Sequence, residues 1–243
     1  MKIQLINPNT SLHMTANIAL AAEAVARDST QILTSCPEHG PVSIEGHFDE
    51  SIATLGMLEE MKKGLAAGCD AHVIACFGDP GLQAAQELAT GPVLGIAEAA
   101  FCVAGLISTR FAIITTLGRT RIMAHHLLER YGMASRCTSI RCVEQPVLAF
   151  ERPDTVLMET MARQAHEARD LEGAGAIVLG CAGMAGLKEA LTEAVGIPVI
   201  DGVAAAVKLA ESLVELGLGT SKHGDLAFPV PKTFKGRFSP FGL

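Results

Sequence analysis

Two cysteines, Cys76 and Cys181, stand in matching surroundings. The first lies in AHVIACFGDPGL (71–82) and the second in AIVLGCAGMAGL (176–187). In each, an apolar and partly β-branched run reads as a buried strand, with the cysteine at its end and glycines opening a helix. Superposing Cys76 on Cys181 also aligns Gly81-Leu82 with Gly186-Leu187. Downstream, Gly-Pro-Val-Leu-Gly at 91–95 echoes Gly-Ile-Pro-Val-Ile-Asp at 196–201. A residue beyond the carboxyl end of a parallel strand sits where such sheets place their ligands. The N–H groups and dipole of a helix N-terminus there lower a thiol pKa. A single cysteine at a strand end is most often a small buried hydrophobe; its repetition at the equivalent place favours function. Two thiols facing each other across a cleft suit one reaction. One, as thiolate, removes a proton from carbon, and the other delivers a proton to the opposite face. That inverts a stereocentre with no metal and no organic cofactor. The carbon must be acidified by a neighbouring carbonyl, and the enolate oxygen needs donors. Backbone N–H groups near Phe77-Gly78 and Ala182-Gly183 are the candidates.

The elements that must hold this pair alternate along the chain. Strands are expected at 2–6, 31–35, 72–75, 93–95, 111–115, 139–143, 176–179 and 198–200. Helices are expected at about 12–27, 51–68, 80–90, 98–107, 120–131, 154–172, 187–195 and 203–216. Such alternation implies α/β architecture with mostly parallel sheets flanked by helices. The internal echo divides it into two similar, pseudo-two-fold related domains with the site in the cleft between them. The first spans 1–97 plus about 203–220, because the last helix returns to it; the second spans 98–202; an extended tail occupies 221–243.

Composition excludes several classes. The 243 residues are 49% hydrophobic and 19% charged, with a formal net charge of −7 and no dense basic run. Nucleic acid is therefore not the partner. No run of about 18 apolar residues marks a membrane span, and MKIQLINPNT is not a signal peptide. A cytoplasmic, reduced protein is expected. The seven cysteines (36, 69, 76, 102, 137, 142, 181) contain no C-x-x-C and no zinc-like spacing, so no metal is expected. His125 and His126 are adjacent on a helix and point apart.

The chain resembles the aspartate/glutamate/hydantoin racemase superfamily, and more closely its hydantoin and allantoin racemases. The motifs are LINPNTS (5–11), SIEGHFDE (43–50), HVIACFGDPGL (72–82), TTL (115–117), AIVLGCAGM (176–184) and PVIDGVAAAVK (198–208). They span nearly the whole chain. The resemblance implies that Cys76 and Cys181 are the two acid/base catalysts of a cofactor-independent racemisation. It also places Asn7, Thr10, Ser43, Thr115 and Thr116 around the pocket, with Phe77, Gly78, Ala182 and Gly183 beside the thiols. Asn, Ser and Thr at strand-to-helix junctions equally serve as turn and cap residues. Glutamate racemases resemble this chain but put Thr-His after the second cysteine, where Ala182-Gly183 stand, and Asp-Ser-Gly where Asn7-Pro8-Asn9 stand. Those differences favour a neutral cyclic substrate, a ureide or 5-substituted hydantoin such as allantoin. Cys76-Phe77-Gly78-Asp79 and the tail from Thr220 to Leu226 look more like the allantoin racemases. Asp79-Pro80 is read as a helix start, and His47 as a loop residue. Maleate isomerase, amino-acid racemase and a non-catalytic two-lobe binding protein are the alternatives. A decarboxylase of this superfamily keeps a single catalytic cysteine, against the pair here. Family members are commonly homo-oligomers, and the Pro/Phe tail is the segment to reach a neighbour.

Overall fold

A computed structural model describes residues 1–242, excluding the side chains of Arg237 and Pro240. It contains two four-stranded parallel sheets. The first half holds β1 (Lys2–Ile6), α1 (Leu12–Glu23), β2 (Gln31–Ser35), α2 (His47–Ala66), β3 (Ala71–Ile74), α3 (Leu82–Leu88) and β4 (Val93–Gly95). The linking helix α4 (Ile96–Ile107) leads to β5 (Phe111–Thr115), α5 (Thr120–Arg130), β6 (Cys137–Cys142), α6 (Thr155–Glu172), β7 (Ile177–Leu179), α7 (Lys188–Val195), β8 (Val199–Ile200) and α8 (Gly202–Glu215). Strand order is β2-β1-β3-β4 in one sheet and β6-β5-β7-β8 in the other. The two halves thus repeat one topology, the two-unit α/β architecture read from the internal echo.

In both sheets the chain moves outward in opposite directions from the central strand pair. Ile3 to Ile6 of β1 pair with Ala71 to Ile74 of β3, and Ala112 to Ile114 of β5 with Ile177 to Leu179 of β7. Loops leaving the carboxyl ends of such a pair diverge and leave a crevice, the usual ligand site of open α/β sheets. Cys76 follows β3 and Cys181 follows β7, each by two residues.

One apolar cluster joins the halves. Ile3 and Leu5 of β1, Val73 of β3, Ala97, Ala100 and Phe101 of α4, Phe111 and Ile113 of β5, and Val203 and Val207 of α8 belong to it. Helix α8 packs on β3, β4 and α1 of the first sheet, as well as on α4. Its buried Glu211 accepts from Arg27 N, Thr30 Oγ1 and Lys208 Nζ at 2.9, 2.6 and 2.8 Å, which satisfies an otherwise costly buried carboxylate. The segment after α8 is anchored near the first sheet by Thr220 N on Thr90 O at 3.0 Å and Thr220 Oγ1 on Gly91 O at 2.8 Å. The tail is not uniformly extended: 3-10 turns occupy Gly224–Leu226 and Gly236–Phe241. Its last residue, Leu243, lies outside the described residues.

Helix α2 begins four residues earlier than the apolar pattern indicates. Gly46 is the extended residue before it, and Asp49 and Glu50 fill its first turn, where acidic side chains complement the helix dipole. Asp49 Oδ2 also accepts from Glu45 N at 3.0 Å. Half of SIEGHFDE is therefore helix, and His47 is its exposed first residue.

Phe101 is the joint of the two halves. Its ring meets Phe77 edge-on at 5.6 Å, Phe111 stacked at 5.7 Å and Tyr131 at 6.2 Å. Phe101→Ala is expected to cost about 3–5 kcal/mol of unfolding free energy in a urea titration; a loss under about 1 kcal/mol would show that the halves do not depend on this packing.

Candidate active site

The carboxyl ends of β1, β3, β5 and β7 converge on one cleft. Its lining includes Asn9 from the loop after β1, Ala75 to Gly78 after β3, Thr115, Thr116 and Thr120 after β5, and Gly180 to Ala182 after β7. Met14, Ile44, Met123, Ala124 and Val147 complete the wall with apolar surface. Both cysteines are free thiols, partly exposed to the cleft.

Two effects compete at each sulfur. Loss of water disfavours the thiolate, and backbone N–H groups favour it. At Cys76 burial dominates over the single amide of Gly78 and pushes the thiol up to about 12, with the neighbouring Cys181 and Glu50 adding to the rise. At Cys181 burial again dominates, over the amides of Gly183 and Met184, and the thiol is pushed up to about 11, with Glu45 contributing. The helix-terminus argument of the sequence is correct in direction and too small in size. Burial thus favours the thiol form of both sulfurs at neutral pH. The amides of Gly78 and Gly183 act on the sulfurs, favouring the thiolates against burial.

The turn after Cys181 is a 3-10 segment, Ala182–Leu187, running into α7. Helix α1 from the other half packs on it. A Cβ on Gly183 would lie 3.3 Å from Phe150 Cβ, 3.5 Å from Met14 Cε and 3.6 Å from Cys181 Sγ. Little room is left there for a side chain beside the thiol. Thr115 Oγ1 donates to Gly180 O and pairs with Thr120 Oγ1, each at 3.2 Å, so Thr115 braces the residue before Cys181. The Thr116 hydroxyl has no hydrogen-bond partner among the described residues and lines the cleft.

The turn after Cys76 is held differently. Asp79 sits in the left-handed region at φ 44°, a strained setting for a residue other than glycine. Its carboxylate accepts from Ala97 N and Glu98 N at 3.0 Å each and from Tyr131 OH at 2.8 Å. Asp79 therefore caps α4 rather than the helix that follows it in sequence, and it ties the Cys76 turn to α5 of the other half. Burial pushes this carboxyl up to about 7 against the pull of its three donors.

Two bridges span the mouth. Glu45 Oε1 accepts from Val147 N at 2.8 Å, and Ser11 Oγ donates to Glu151 Oε1. They fasten the loop before α2 and the N-terminus of α1 to a 3-10 turn, Val147–Glu151, of the second half.

Among the residues expected in the pocket, Cys76, Phe77, Gly78, Thr115, Thr116, Cys181 and Ala182 line the cleft, and Gly183 lies just behind Cys181. Three others also stand outside the lining. Asn7 is buried, and its amide is spent on Asn9 Oδ1, Ser11 O and Thr15 Oγ1 at 2.8, 3.2 and 3.0 Å. Thr10 is tied through its amide to Pro41 O at 3.0 Å. Ser43 gives way to its neighbour Ile44. Asn9, Thr120 and Glu45 were not singled out from sequence. The Asn-x-Asn spacing was the available signal for Asn9, since one such residue can hold the other. Among the described residues no three His, Cys, Asp or Glu side chains converge as a metal site requires, and no helix is long and apolar enough to cross a membrane.

The model of the Asp/Glu/Hydantoin racemase family matches residues 3–210. A hydantoin racemase of Pseudomonas sp. (strain NS671) is 45% identical over 242 residues, 100% of this chain and 97% of that protein. An allantoin racemase from Klebsiella pneumoniae superposes with a TM-score of 0.97 at 54% identity, covering 100% of this chain and 99% of that one. The allantoin racemase of Pseudomonas fluorescens gives a TM-score of 0.92 at 39% identity, over 97% and 100%.

The resting thiol state is checked by iodoacetamide labelling read by peptide mass spectrometry. Labelling at both cysteines should climb about tenfold per pH unit from pH 7 to 9. A plateau below pH 8 at either site would show a resting thiolate and contradict this.

Proposed function

The chain belongs to the Asp/Glu/hydantoin racemase family and is a racemase; from that premise we propose that it inverts C5 of 5-substituted hydantoins by two-cysteine proton transfer, with allantoin the favoured substrate. The observation that carries the reading is that Cys76 and Cys181 reach one cleft from equivalent ends of two equivalent sheets.

The reaction needs one thiol and one thiolate, so the form that reacts is the singly ionised fraction in which one thiol has given its proton to solvent. The thiolate takes the C5 proton: an S–H bond forms, the C5–H bond breaks, and the electron pair moves toward C4 and its oxygen. The thiol on the opposite face then protonates C5 and becomes the thiolate. The product is the other enantiomer, and the two sulfurs have exchanged roles, ready for the reverse direction. Two nearby acids titrate as a pair, and their mutual repulsion favours the singly ionised form over the doubly ionised one. The small residues Gly78, Ala182 and Gly183 leave the sulfurs accessible to a flat ring. Among the described residues no cluster of Lys or Arg lines the cleft, which suits a neutral ring better than a dicarboxylate or a free amino acid. The cleft-lining threonines suit the polar ureido arm of allantoin, and the 54% identity to an allantoin racemase points the same way. Thr116 is assigned to that arm or to a ring carbonyl.

The free thiols suit a reducing compartment, and we place the protein in the cytoplasm. The exposed Phe228 and Val230 of the tail and Leu12 and Leu20 of α1 offer apolar surface for a second copy, in keeping with a homo-oligomer. The division into 1–97 with α8, 98–202 and a tail is adopted for the same functional unit.

Cys76→Ser and Cys181→Ser should each lower racemisation of allantoin by at least about 10²-fold. Each variant should still exchange the C5 proton of one enantiomer in deuterated water, and the retained enantiomer should differ between them. Wild-type racemisation by either variant would refute the two-cysteine reading. A kcat/KM for 5-benzylhydantoin above that for allantoin would refute the substrate assignment.

A further inference from the structure

We infer that Asn9 is a catalytic residue whose side-chain amide donates to the C4 oxygen as negative charge develops there; this rests on the proton-transfer reading above. Deprotonating C5 places the charge on that oxygen, and stabilising it is worth more than any improvement in ground-state binding. The Gly78 and Gly183 amides act to favour the thiolates of Cys76 and Cys181, so a side-chain donor would come from the residues that line the cleft.

Asn9 meets the requirement. It is 4% exposed and lines the same cleft as both thiols. Its Oδ1 accepts two hydrogen bonds, from Asn7 Nδ2 at 2.8 Å and from Ser11 N at 2.9 Å. Rotating the amide by half a turn would set its NH2 against those two donors, so the orientation is fixed by the network. The NH2 is thereby turned away from the loop. Its protein partner among the described residues is Met14 Sδ at 3.3 Å, a weak acceptor. An enolate oxygen would displace that contact at small cost. Asn9 N also donates to Asn7 Oδ1 at 3.3 Å. Asn7 is thus the positioning residue behind Asn9, held in turn by Thr15. Two of the three neighbouring hydroxyls are engaged: Thr120 Oγ1 donates to Leu117 O at 2.7 Å, and Thr115 Oγ1 to Gly180 O. The third, Thr116, lines the cleft without a partner among the described residues, and no network fixes its orientation as one fixes the Asn9 amide. Asn9 comes from β1, the strand flanked by β2 and β3, at the topological crevice itself. A donor there serves both directions of the reaction equally, because the enolate is common to both.

Asn9→Ala and Asn9→Asp separate donation from packing. Asp is isosteric and keeps an acceptor for Asn7 and Ser11, so a purely structural role predicts that Asp is the milder change. A donor role predicts the reverse, because a carboxylate would repel the developing charge. With allantoin, each variant should lower kcat by about 10²–10³-fold, Asp at least as much as Ala, and KM should change by less than about threefold. C5 exchange in deuterated water should fall equally for both enantiomers, unlike the one-sided pattern of the cysteine variants. Unchanged urea midpoints will show that the fold is intact. If Asn9→Asp outperforms Asn9→Ala, or if both keep wild-type kcat while the cysteine variants are inactive, the Asn9 inference is wrong and the two-cysteine reading stands. If the wild-type protein racemises neither allantoin nor an alkylhydantoin, both fall.

Discussion

Two thiols brought to one cleft and raised by burial are the constraint on which this structure turns. Burial raises both far above neutrality, and their mutual repulsion opposes double ionisation. The proposed two-cysteine transfer needs one acid and one base, since each direction consumes one and regenerates the other. Much of the surrounding architecture preserves that balance. Two amides favour ionisation of Cys181 against one at Cys76, and the carboxylates of Glu45 and Glu50 oppose it at Cys181 and Cys76 respectively. Neither sulfur is strongly activated before substrate arrives, so neither is spent as a reactive surface thiol.

Duplication supplies the geometry, and packing makes it specific. Each half contributes a strand end and a cysteine, but neither turn is supported by its own half alone. The Cys76 turn is fixed by Asp79, which reaches α4 and Tyr131. The Cys181 turn is covered by α1, while Glu45 and Ser11 fasten the mouth from the first half. Phe101 sits at the crossing point and touches Phe77 beside the first thiol. The strained backbone of Asp79 is tolerated because three donors and the gap left by Gly95 hold its carboxylate: a Cβ on Gly95 would lie 2.1 Å from Asp79 Cγ.

The fold was legible because its signals are local. Apolar strand runs, the break at Gly180 and the repeated cysteine segment require no tertiary knowledge, and they place the strands and the thiols. Helix ends were less so: His47 to Glu50 form a first turn because acidic residues and the extended Gly46 favour it, against an apolar pattern that begins later. Within the site, residues adjacent to a cysteine were legible by proximity. Asn7 and Asn9 were not distinguishable, because both belong to one turn and only the hydrogen-bond direction decides which amide faces the cleft. Asp79 was assignable as a cap but not as the cap of α4, seventeen residues further on, and Glu45 reaches a partner in the opposite half. Contacts between halves carry no periodicity that a sequence could display.

The central claim is that a different sulfur serves each face of one carbon. It is tested most directly by starting the reaction from a single enantiomer in deuterated water and following optical rotation and C5 protons together at early times. Two-sided transfer predicts that the newly formed enantiomer carries deuterium at C5 in every molecule while the remaining starting enantiomer is still largely protiated. Product that retains the original proton would mean that one group carries it from face to face, and would contradict the account.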